Sequence, residues 1–107
     1  MHLAKIPYYN RNMELEHRKL SELEIGESLR HVPLWNVKNG LLCRALDFRT
    51  YLEGALFAIK VAHVAEDLDH HPDILIGYRK VTISVNTHSV DGISPFDFEL
   101  AKRIDAI

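Results

Sequence analysis

The chain has a single cysteine, Cys43, so no disulfide can close within it, as suits a reducing compartment. Long apolar runs are also missing. The longest apolar region, Leu52 to Val64, is broken by Glu53, Lys60 and His63, too short and too charged to span a bilayer. The first residues carry no secretory apolar core. A cytoplasmic protein without a membrane segment is therefore expected. Nor is one sign of charge in excess. Thirteen Lys and Arg against fifteen Asp and Glu give a net charge of -2, and the basic residues are scattered. No stripe is left to neutralise a run of phosphates, so direct nucleic-acid binding is not expected. A glycine-rich phosphate loop, an HExxH or Cys/His zinc pattern and a serine nucleophile elbow are all lacking.

What the chain does have is histidine, seven in 107 residues. Histidine is the side chain whose ordinary pKa lets it give and take protons near neutrality. The length suffices for one core and is too short for two.

Residues 1–19 follow no sustained period and read as an N-terminal arm, leaving residues 20–107 as the domain. Ser21 with Glu24 forms a capping box, with Leu20 stapled to Ile25, and a short helix runs to about Arg30. Trp35–Val37 and Leu41–Phe48 read as strands, and Lys38-Asn39-Gly40 supplies the positive-φ residues of a tight hairpin. Leu42, Arg44, Leu46 and Phe48 share one face of the longer strand. Thr50 with Glu53 reads as a second capping box, opening a helix over about Tyr51–Asp67. Its core face is expected to be Leu52, Ala55, Leu56, Ile59 and Ala62.

Pro72 then pushes His71 out of the α region. Strands are expected at Ile74–Tyr78 and Val81–Thr87, with Thr82, Ser84, Asn86 and His88 on the polar face. Ser94, Pro95 and Asp97 cap a last helix, with Ile93 stapled to Phe98. The class is α+β, a four-stranded antiparallel sheet with three helices packed on one face. Its unpaired outer edges can be protected by a second copy, so a homodimer or homotetramer is expected.

His70, His71 and His88 sit at the ends of elements, where side chains can converge while their backbones stay rigid. Glu66 and Asp97 can join them. Such a set suits proton transfer: one histidine donates to a leaving oxygen while another group collects a proton. Plainer roles compete. His70 and His71 are favourable simply as a helix ending, Asp97 as a helix cap and Glu66 as a solvated residue. His2, His17, His31 and His63 are read as structural or incidental. A zinc site from the three histidines and a carboxylate is not expected, because adjacent histidines on an extended backbone diverge. Cys43, inside a strand, is no candidate nucleophile.

The ordered set Glu66, His70-His71-Pro72, Tyr78, His88 and Asp97 closely resembles the pterin-4a-carbinolamine dehydratase family: an acidic residue, three spacers, His-His-Pro, an aromatic residue, a histidine and an aspartate. Trp35 and the Leu42-x-Arg44-x-Leu46-x-Phe48 pattern resemble it too, so the likeness covers about residues 20–107. The resemblance implies the fold deduced above and dehydration of a 4a-hydroxytetrahydropterin to a quinonoid dihydropterin. It implies His70 and His88 as acid/base groups, His71 as a binding and orienting residue, and Glu66 and Asp97 as supporting carboxylates. Substrate contacts would come from His70, His71, Pro72, Thr87, His88 and Ser89. No metal or organic cofactor is implied. The pterin would be one recycled for an aromatic amino acid hydroxylase. Some animal members of the family also serve as a dimerisation cofactor of a homeodomain transcription factor, so a non-enzymatic partner-binding module is the second reading.

Overall fold

The computed structural model describes residues 15–107; His2 and most of the expected arm lie outside the described residues. Helix α1 (Glu22–Leu29) opens on a complete capping box. The Ser21 hydroxyl accepts from Glu24 N–H, and the Glu24 carboxylate accepts from Ser21 N–H. Strands β1 (Asn36–Lys38) and β2 (Leu41–Asp47) form the expected hairpin. Asn39 and Gly40 both have positive φ, 53° and 75°, the geometry that matches the twist of a two-residue hairpin turn.

Helix α2 (Tyr51–Leu68) is followed by β3 (Asp73–Ile76), β4 (Lys80–Val85), a single 3₁₀ turn at His88–Val90 and helix α3 (Pro95–Asp105). The sheet is antiparallel throughout, in the order β1-β2-β4-β3. Leu42, Val81, Ile83 and Val85 turn inward and join Val61, Ala65, Phe98, Leu100 and Ile104 in one core. Trp35 Nε1–H donates to Asp105 Oδ1 at 2.8 Å, and Arg44 reaches the same carboxylate, tying the hairpin to the end of α3.

The buried side of α2 is the opposite of the one expected. Leu52, Leu56 and Ile59 are 65%, 50% and 55% exposed, and the face against the sheet is Gly54, Ala58, Val61 and Ala65. The helix is apolar nearly all round, so periodicity alone does not select a side. The small residues win because they let the helix come close. A Cβ on Gly54 would stand 3.2 Å from Val81 Cγ2. The second capping box is also only half formed: Thr50 accepts from Glu53 N–H, whereas the Glu53 carboxylate takes Arg49 N–H. The last two strands end earlier than expected, so Tyr78 lies in an exposed turn, and Thr87 and His88 lie beyond β4.

Candidate active site

The end of α2 separates its two histidines. Asp69 closes the helix in the left-handed conformation (φ 53°, ψ 45°), and His70 N–H returns to Ala65 O at 3.0 Å. Aspartate tolerates this conformation better than most side chains. The reversal sends His70 into the protein, 9% exposed, while His71, held extended ahead of Pro72, stays at the surface. Each ring meets a carboxylate. His70 Nε2 lies 2.6 Å from Asp97 Oδ1, and His71 Nε2 lies 2.9 Å from Glu66 Oε2.

The two pairs differ in kind. Asp97 is fully buried, and three donors converge on it: the His70 ring N–H at Oδ1, and the Thr87 hydroxyl (2.8 Å) and Ser94 N–H (2.9 Å) at Oδ2. Thr87 spends its one proton on this carboxylate, so at 2.7 Å it is the Ser94 hydroxyl that donates to Thr87 Oγ1. Ser94 Oγ in turn accepts from Phe96 N–H. An acceptor-only carboxylate fixes the His70 tautomer with hydrogen on Nε2, which leaves the lone pair of the neutral ring on Nδ1. The Glu66–His71 pair is open to solvent. The hydrogen bond that the His71 ring donates to Glu66, reinforced by the negative charges of Glu66 and Asp69, raises the His71 pKa above the ordinary histidine value.

A tight loop carries the third histidine. Thr87 N–H donates to Gly92 O at 2.8 Å, and Val90 and Asp91 N–H close the turn on Thr87 and His88 carbonyls. His88 stands exposed on this loop, and its ring has no hydrogen-bond partner among the described residues. His70, His71 and His88, together with Asn86, Thr87 and Ser89, line one cleft of about 240 Å³. That is below the roughly 300–1,000 Å³ of drug-sized ligand sites. A larger hollow of about 460 Å³ lies beside α2 around Phe48, Leu56 and Phe57. Its lining has no imidazole, whereas His70, His71 and His88 all line the smaller cleft.

Not every expected residue faces that cleft. Pro72 and Tyr78 are not in its wall, Glu66 reaches it through His71, and Asp97 reaches it through His70. Thr87 borders it, but its hydroxyl is already engaged by Asp97 and Ser94. Conversely, His17 and Asp69 are in the wall, and Phe96 packs on the His70 ring with centroids 5.6 Å apart. His17, read from sequence as incidental, has no local signal, because only the tertiary fold brings residue 17 beside residue 96. Among the described residues no group of three or more His, Cys, Asp and Glu is placed to hold a metal ion. Burial raises the Cys43 thiol pKa, which suits a structural cysteine.

Comparison with known proteins gives a consistent picture. Residues 18–107 match the family model described as pterin 4 alpha carbinolamine dehydratase. A Sulfolobus acidocaldarius relative, provisionally named pterin-4-alpha-carbinolamine dehydratase, is 37% identical over 83% of this chain and 98% of its own. A solved Brucella melitensis structure, described as a transcriptional coactivator/pterin dehydratase, superposes with a TM-score of 0.78 at 30% identity, covering 83% of this chain and 97% of that one. A pterin dehydratase-like protein, described as a RuBisCO assembly factor in the alpha-carboxysome, shares the fold, with a TM-score of 0.55 at 23% identity, over 67% of this chain and 83% of that one.

Proposed function

Because this chain belongs to the pterin 4 alpha carbinolamine dehydratase family, we propose that it dehydrates a 4a-hydroxytetrahydropterin by histidine acid/base catalysis. The observation that carries this reading is the pairing, across one cleft, of a buried carboxylate-held imidazole, His70, with an open imidazole, His88. In the reaction the C4a–O bond breaks. The departing hydroxyl gains a proton and leaves as water, the N5 proton is removed, and its electron pair forms the C4a–N5 double bond of the quinonoid dihydropterin. His70 takes the N5 proton at Nδ1, because Nε2–H is committed to Asp97 and the buried carboxylate stabilises the imidazolium that forms. His88, solvated and without a competing acceptor, gives its proton to the hydroxyl. His71, held by Glu66, binds and orients the pterin. The test is the rate of dehydration of a synthetic 4a-hydroxytetrahydropterin by the purified chain and its histidine variants.

The reaction belongs in tetrahydropterin recycling beside an aromatic amino acid hydroxylase, in the cytoplasm. No described helix is long and apolar enough to cross a membrane. The unpartnered side of α2 supports a homo-oligomer. Glu53 and Lys60 flank the Leu52, Leu56 and Ile59 stripe on the same side, seven residues apart. An antiparallel pairing of two such helices therefore sets Glu53 of each copy against Lys60 of the other. A second reading, a partner-binding module, draws on the relative described as a coactivator. The enzyme reading is preferred because both histidine–carboxylate pairs are present in this chain.

A further inference from the structure

We propose that His17 is a substrate-binding residue of the cleft, a fourth imidazole, one ring nitrogen of which hydrogen-bonds the polar edge of the bound pterin. The proposal rests on the dehydratase reading above. It starts from how firmly residues 17–20 are fastened to the start of α3. Leu20 N–H donates to Ile93 O at 2.8 Å. The Lys19 side chain lies over Gly92 so closely that a Cβ there would meet its Cε at 2.9 Å and its Cγ at 3.1 Å. The Arg18 guanidinium turns the other way and is held by Glu24 at 3.0 and 3.2 Å.

These contacts deliver the His17 ring onto Phe96, stacked with centroids 4.4 Å apart and planes 16° apart. Phe96 also neighbours the His70 ring, with centroids 5.6 Å apart. One phenyl ring thus sets the position of an arm-derived imidazole relative to the proposed base. Stacking occupies a face of the His17 ring and leaves its edge, one donor and one acceptor when neutral. Neither nitrogen has a hydrogen-bond partner among the described residues, although the ring lies in the cleft wall. A pterin carries the matching chemistry on its pyrimidinone edge, where an amide N–H and carbonyl stand beside an amino group. His17 binds this edge and transfers no proton in the reaction.

The test compares KM and kcat for a 4a-hydroxytetrahydropterin in the wild type, His17→Ala and His17→Phe. Phenylalanine keeps a flat ring to stack on Phe96 but has no nitrogens. Because His17 is exposed, both variants should fold, with unchanged Tm. Losing one hydrogen bond raises KM about 3- to 10-fold in both, with kcat within about twofold, the pattern of lost uniform binding. A His17→Phe variant with wild-type KM overturns the proposal and leaves His17 as a packing residue. If kcat falls while KM holds, the binding role is equally overturned. A wild type that does not accelerate dehydration removes the dehydratase reading itself and this inference with it.

Discussion

Asp97 holds His70 through one carboxylate oxygen and the start of α3 through the other. Oδ1 lies 2.6 Å from His70 Nε2, while Oδ2 takes Ser94 N–H and the Thr87 hydroxyl. The capping contact and the contact to the proposed base, which compete for this residue in the sequence, thus fall on different oxygens. An Asp97→Asn substitution separates them. The amide puts a donor against one of the existing donors, so kcat should fall by about 10²-fold or more, and about 1–3 kcal/mol of stability should be lost through an unsatisfied buried group. Steady-state kinetics with urea unfolding on the same preparation reads both. A destabilised variant with normal kcat would leave Asp97 as a cap alone.

Glu66 should set the protonation of His71. The pair's stabilising effect is present below the ordinary histidine pKa and is lost as pH rises through the raised value. An NMR titration of the His71 ring should give a midpoint above that of a free histidine, and Glu66→Gln should bring it down. An unchanged midpoint in the variant would mean that the 2.9 Å contact is not maintained in solution.

The exposed side of α2 should be an interface between copies. Sedimentation of the wild type should report an oligomer, and Leu56→Glu should yield a smaller, folded species. A monomeric wild type would refute this part of the account.

Gly54 should be required for the close approach of α2 to the sheet. A Cβ at 3.2 Å from Val81 and 3.5 Å from Phe48 can be met by small shifts, but the two further methyls of Gly54→Val cannot. Overpacking should cost about 1–3 kcal/mol, read as a lower urea midpoint. Full wild-type stability would show that the helix can retreat freely.

Local chemistry made much of this fold legible. Asn39-Gly40, Ser21 with Glu24, and Ser94-Pro95 with Asp97 each announce a turn or helix start, because they satisfy backbone groups or positive φ within a few residues. The side of α2 was not legible, since Leu52, Leu56 and Ile59 have the stronger apolar pattern, and what decides is how near Gly54, Ala58 and Ala65 let the sheet come. The family resemblance singled out His70, His71, His88 and Asp97, but the division between a buried and an exposed imidazole depends on the left-handed Asp69. His17 depends on a tertiary strap and left no trace in the sequence.

In the proposed reaction His70 and His88 exchange the protons of a dehydration. The most direct test is the rate at which purified protein converts a 4a-hydroxytetrahydropterin to the quinonoid dihydropterin, for the wild type, His70→Ala and His88→Ala. The wild type should accelerate the conversion, and each variant should lose about 10²- to 10⁴-fold in kcat while staying folded. Wild-type rates in both variants would contradict these roles.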